Sequence, residues 1–184
     1  MRMLNRAVED LKAGRIAEGE EEITDVTVEL PVPAYIPDEY IPDAKDKISA
    51  YQKLSSADSV EYLKEVQEDM IEDYGKMTDE VKNLFNIIEL KIFAKAAGLL
   101  NIKAESVPMS KEKEIVLIMS KKVKPANIIS LLEFNSKWMI SGTRLKINIK
   151  DLGLDWFGML KECVKTLGKS AKHGHKIGDV RASN

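Results

Sequence analysis

The side chains with the widest chemical repertoire in this 184-residue chain are its single cysteine, Cys163, and its two histidines, His173 and His175. A thiol needs a neighbouring base to act as a nucleophile. Cys163 instead falls on the apolar stripe of a helix, with no histidine in an ordered element nearby, which is the setting of a buried, inert thiol. His173-Gly174-His175 could touch a metal ion, but two imidazoles and one distant thiol do not close a zinc site. The acid pairs Glu68/Asp69 and Glu72/Asp73 have the chemistry of a general acid and base. On a charged helix face they read as solvated, with Asp73, just before a helix-ending glycine, expected to hydrogen-bond a neighbouring segment. Trp138 and Trp156 could stack on bases. Their neighbours Met139, Ile140, Phe157 and Leu160 argue for the core, and no basic–aromatic interleaving accompanies them. The sequence has no Gly-x-x-x-x-Gly-Lys-Ser/Thr loop, no Gly-x-Gly-x-x-Gly and no Gly-x-Ser-x-Gly. These residues predict no catalytic site, cofactor or metal.

Composition sets the frame for the elements that carry these side chains. With 44% hydrophobic and 32% charged residues the chain is globular in character. A chain of this length can bury roughly 70% of its unfolded surface without a disulfide or metal staple, and one cysteine permits no internal disulfide, which fits a reducing compartment. No apolar run approaches the ~20 residues of a membrane span, and the N-terminus lacks a signal-peptide core. The expectation is a cytoplasmic protein without membrane contact. The net charge of −2 hides an asymmetry: residues 1–50 carry 6 Lys+Arg against 12 Asp+Glu, and residues 161–184 carry 6 against 2. The basic tail offers a second functional reading, a nucleic-acid-binding module acting through phosphate contacts.

Apolar periodicity predicts a helix over residues 1–13, an acidic linker, and a strand from Ile23 to Leu30. Four of the six prolines then crowd into Pro31, Pro33, Pro37 and Pro42. Each fixes φ and removes a donor, so this stretch reads as an extended arm, and Tyr35, Ile36, Tyr40 and Ile41 require that it pack on the domain. Three helices follow. The first runs over 43–54, with Ile48, Tyr51 and Leu54 on one face. The second is capped by Asp58 with Glu61 as its capping-box partner and Gly75 as its stop, and carries Val60, Leu63, Val66, Met70, Ile71 and Tyr74. The third opens at Thr78 and ends at Gly98. The second half reads as short strands at 101–108, 114–119, 138–140 and 144–149, with helices at 125–134 and 155–167. Helices first and a small mixed or antiparallel sheet later imply an α+β fold.

The arm and its helices resemble the C-terminal domain of bacterial transcription-repair coupling factors. The family's Pro-Val-x-Ala-Tyr-Ile-Pro-x-x-Tyr-Ile-x-Asp phrase is matched by Pro31 to Asp43. Its tyrosine-centred helical phrase is matched by Ala50-Tyr51-Gln52-Lys53-Leu54, its Asp-Arg-Phe-Gly helix end by Glu72-Asp73-Tyr74-Gly75, and its Val-x-Asn-Leu-Leu phrase by Val81-Lys82-Asn83-Leu84-Phe85. The arginine before the aromatic residue is absent here, and Ala44-Lys45-Asp46-Lys47 stands where the family is arginine-rich, which removes planar bidentate donors. Residues 3–12 resemble the last helix of the family's translocase portion.

The resemblance implies residues 1–22 as that helix and an acidic linker, 23–168 as the C-terminal domain, and 169–184 as a basic tail. It implies structural roles for Pro31, Pro33, Tyr35, Ile36, Pro37, Tyr40, Ile41, Tyr51, Asp73, Gly75, Asn83 and Leu84. It further implies a non-catalytic regulatory domain of an ATP-driven DNA translocase in nucleotide-excision repair. Its partner would be the N-terminal repair-homology module of the same polypeptide, and its indirect partners the excision-repair damage-recognition protein and RNA polymerase.

Overall fold

A computed structural model describes residues 25–169. The helix and linker expected before Asp25, His173, His175 and the basic tail lie outside these residues.

The chain opens with β1 (Thr27–Glu29), shorter than the expected 23–30. The alternation still holds: Val26 is buried, and Val28 and Leu30 pack against the same core. The proline arm leads into α1 (Ala44–Ser55), α2 (Val60–Tyr74) and α3 (Asp79–Ala97). Then come β2 (Leu99–Ser106), β3 (Lys113–Met119), α4 (Pro125–Phe134), β4 (Met139–Ser141) and β5 (Arg144–Asn148). A 3-10 turn at Ile149–Leu152 precedes α5 (Trp156–Gly168). The fold is α+β, as the element order implied.

Helix ends follow capping chemistry, with one shift. The Asp43 carboxylate accepts from the Lys45 and Asp46 amides, and Thr78 caps α3. The cap of α2 is Ser59, whose hydroxyl accepts from Tyr62 N at 3.3 Å, rather than Asp58. This start places Glu61 at the second helical position, one short of where a capping box needs it, although it still faces the helix's positive end. Gly98 ends α3 in the left-handed region with φ +85°. A Cβ there would lie 2.9 Å from Lys122 Cβ, so both backbone and space demand glycine.

The five strands form one mixed sheet in the order β1-β2-β3-β5-β4. β1 runs parallel to β2, pairing Val28 with Ile102; the remaining neighbours are antiparallel. Parallel strands require a crossover, and here the whole segment from the arm through α3 serves as that crossover. It builds a helical lobe with its own core: Ile36, Tyr40, Ile41, Leu54, Leu63, Val66, Met70, Val81 and Phe85. A second core fills the sheet's inner face, where Ile102, Ile115, Leu117, Leu145 and Ile147 meet Leu90, Leu131, Leu160 and Val164. α3 belongs to both, through Val81 and Phe85 at one end and Leu90 and Ala94 at the other.

The sheet's other face is polar. Register puts Arg144 beside Ile118 and Glu105 beside Glu114. Their 2.8 Å ion pair therefore crosses β3 over Val116, which is fully buried although it points away from the main core.

Three residues of these apolar stripes are left uncovered. Ile48 and Tyr51 are exposed, and α1 buries Ala50 and Leu54 instead. Ile71 on α2 is 42% exposed. Helical periodicity fixes which residues share a face, but the packing partner decides which part of the stripe is covered.

Candidate functional site

The residues with catalytic potential are dispersed. Cys163 is fully buried on α5, and burial, reinforced by the Glu162 carboxylate, pushes its thiol up to about 12. Such a thiol stays protonated at neutral pH and is not a nucleophile. Glu68, Asp69, Glu72 and Asp73 are exposed on α2. Asp73 makes no side-chain hydrogen bond among the described residues, contrary to its expected structural role. Burial, with the carboxylates of Asp46, Asp73 and Asp43 nearby, holds its neighbour Tyr74 above the usual phenol range. Trp138 is buried against the Phe134 ring with centroids 5.7 Å apart, and Trp156 is half-buried beside Phe157 at 5.2 Å. Neither is a free stacking platform. Among the described residues no group of three His, Cys, Asp or Glu side chains could hold a metal ion, and no helix is long and apolar enough to cross a membrane.

The residues of the proline phrase do come together. Ile41 is fully buried, Ile36 and Tyr40 nearly so. Pro37 makes the turn: its carbonyl accepts from the amides of Tyr40 and Ile41, both at 3.1 Å. The Tyr40 hydroxyl lies 3.1 Å from the Met70 carbonyl and 3.0 Å from that of Gly75, and its single proton is shared between two acceptors at the end of α2. Its ring meets Tyr74 at 5.9 Å. Burial, with Tyr74 alongside, holds the Tyr40 hydroxyl above the usual phenol range, so it remains a donor.

Two further phrases reach the same arm. Tyr51 of α1 accepts from the Ile36 amide at 2.8 Å. Asn83 of α3 donates to the Pro33 carbonyl at 3.0 Å. A proline-rich segment offers few amide donors to a sheet, and these two side-chain bonds satisfy groups that would otherwise depend on water. Leu84 is half-buried against the helical core. Gly75 takes φ +81° at the end of α2. Pro31 and Pro33 are exposed, Pro37 is half-buried, and Tyr35 is 49% exposed, so Tyr35 does not pack as the rest of the arm does.

The arm thus binds three helices into one lobe and leaves an apolar surface beside it. Tyr35, Ile48 and Tyr51 are all exposed there, joined through the Ile36–Tyr51 bond, and the Asp38–Lys47 ion pair flanks them. Lys47 holds the Asp38 carboxyl below the usual carboxylate range. Sequence periodicity put Ile48 on one face with Leu54 without showing that only Leu54 is covered. An open cleft of about 640 Å³ separates the lobes, with Leu54, Ile88 and Ile92 on its apolar side and Asp25, Lys91 and Lys95 among its charged residues.

A family model described as the TRCF domain matches residues 30–127, from the arm to the first turn of α4. The transcription-repair-coupling factor of Bacillus subtilis is 31% identical over 172 residues, covering 86% of this chain and 14% of the relative. That of Escherichia coli is 33% identical over 157 residues, covering 83% of this chain and 13% of the relative. The chain therefore spans about one-seventh of the length of these curated relatives. Among solved structures, a crystal structure of the C-terminal domain of transcription-repair coupling factor superposes with a TM-score of 0.64 at 19% identity, covering 78% of this chain and 91% of that one. At that identity the likeness is one of fold. With the proline arm, the three helices it ties and the first two antiparallel strands all inside the matched segment, this chain belongs to the TRCF domain family.

Proposed function

We propose that this domain is a non-catalytic regulatory module of a transcription-repair coupling factor. In this reading it folds back on the N-terminal repair-homology module of its own polypeptide and masks the surface that binds the excision-repair damage-recognition protein. The observation that carries the reading is the use made of the family's phrases. Pro33, Ile36, Pro37, Tyr40, Tyr51 and Asn83 are spent on one another, building a rigid lobe rather than lining a reaction centre. That lobe displays Tyr35, Ile48 and Tyr51 to a partner, and aromatic and aliphatic anchors on a rigid base are what an interface requires. A clamp of this kind needs only a few kcal/mol in favour of the closed state to keep the masked site mostly covered.

Calorimetric titration of this chain into the separately produced N-terminal module tests the proposal. Saturable binding is expected, competed by the damage-recognition protein and weakened by Ile48→Glu. If the two modules show no contact even when joined in one polypeptide, the reading is wrong.

A further inference from the structure

Three element ends meet at one corner of the sheet lobe. The end of α3 rests on the loop before α4, where a Cβ built on Gly98 would lie 2.9 Å from Lys122 Cβ and 3.4 Å from Val123 N. The end of α5 rests on α3, where a Cβ built on Gly168 would lie 3.3 Å from the Ala97 Cα. The first turn of α4 holds the end of α5, because buried Asn127 donates to the carbonyls of Leu167 at 2.9 Å and Lys169 at 2.8 Å.

These contacts gather Lys95, Lys121, Lys122, Lys124 and Lys169 around one corner. The first four are exposed and Lys169 is half-buried. Among the described residues none of the five takes part in an ion pair, whereas Lys103, Lys146, Lys150 and Lys161 on the sheet lobe are matched to acids. Segments 94–98, 120–127 and 164–169 contain no Asp or Glu. Asp25 and Asp58, which line the cleft with Lys95, stand at the corner's edge, and Glu162 is engaged by Lys165. At the centre, α4 begins at Lys124 and Pro125 with no side-chain cap, so its positive end is not neutralised from within. The chain continues from Lys169 into fifteen more residues with three Lys+Arg against one Asp.

We propose that this corner binds the phosphate backbone of double-stranded nucleic acid without reading its sequence. The residue chemistry selects that ligand. Lysines on flexible stems act as point charges suited to phosphates rather than to base edges. The corner holds no aromatic side chain, so it lacks the stacking that single strands require. Segments 94–98, 120–127 and 164–169 expose no large apolar side chain to anchor an acidic peptide, and exposed Ile129 lies a turn further along α4. The surface lies on the sheet lobe and is independent of the masking function proposed for the helical lobe.

Fluorescence anisotropy with a labelled mixed-sequence DNA duplex tests this on the full chain. A variant carrying Lys95→Ala, Lys121→Ala, Lys122→Ala and Lys124→Ala is expected to lose at least about tenfold in affinity at low salt. Its log–log salt slope should shrink by about 3–4, the loss expected for four phosphate contacts. The corresponding fourfold Lys→Arg variant should bind as the parent does, with both melting temperatures near the parent's. Removing residues 170–184 should leave binding that still depends on the four lysines. The proposal is overturned if the alanine variant binds like the parent, or if truncation of the tail abolishes binding. It is equally overturned if polyglutamate of matched charge displaces the duplex more readily than unlabelled duplex does, which would point to an acidic protein partner.

Discussion

Tyr40 shows how much one side chain can settle. Its ring contributes to the helical core, and its hydroxyl serves two carbonyl groups at the end of α2. Tyr40→Phe keeps the ring and strands those acceptors, one of them in a buried contact. A loss of about 1–2 kcal/mol is expected in chemical denaturation, with an unchanged dependence on denaturant. Glu112 offers a contrasting test at the surface. Its bonds to Lys150 and then Asn148 hold its carboxyl below the usual range. A depressed folded-state value contributes stability that is complete above the unfolded value, about 4.3, and disappears as pH falls through the folded one. Melting curves taken from about pH 6 down to 3 should therefore fall less steeply for Glu112→Gln than for the parent. An equally steep acid limb would mean that this pair contributes nothing.

At the scale of elements, sequence punctuation worked where it rests on backbone chemistry. Pro125 opens α4, Thr78 and Gly98 bound α3, and the prolines forbid regular structure between β1 and α1. It slipped where two neighbouring residues can serve the same purpose, as with Asp58 and Ser59. Gly98 carries the sharpest demand, with φ +85° and Lys122 against it. Gly98→Ala should cost about 1–3 kcal/mol, read as a lowered melting temperature. Gly75→Ala has open space around the new methyl group, so its penalty is conformational alone, set by φ +81° and ψ −159°, a region essentially confined to glycine. An unchanged melting temperature in Gly98→Ala would show that neither the left-handed backbone nor the contact with Lys122 constrains that position.

The whole molecule depends on α3. Because it carries Phe85 into the helical core and Leu90 and Ala94 into the sheet core, neither lobe can lose its packing without disturbing the other. Both tryptophans lie with the sheet lobe, whereas much of the helix signal comes from α1 and α2. Tryptophan fluorescence and far-ultraviolet circular dichroism should report one coincident transition. Phe85→Ala, placed in the helical core, should lower both midpoints together by about 3–5 kcal/mol. Separation of the two curves would show lobes that unfold independently.

The amino-acid sequence by itself determined the arm, the helix limits to within a residue or two, the α+β class and the family phrases, because these rest on local chemistry: proline's fixed φ, capping side chains and apolar period. Only the tertiary structure decided that β1 pairs in parallel with β2, since that pairing joins strands separated by the entire helical lobe. It also decided which members of each apolar stripe are covered: Leu54 is buried, while Ile48 and Ile71, equally apolar, are left outside. The lysine corner belongs to the same class. Lys95, Lys122 and Lys169 lie far apart along the chain and become neighbours only because α3 and α5 end where α4 begins. Local chemistry can specify an element and its faces, but which face meets a neighbour depends on the packing of elements distant in sequence.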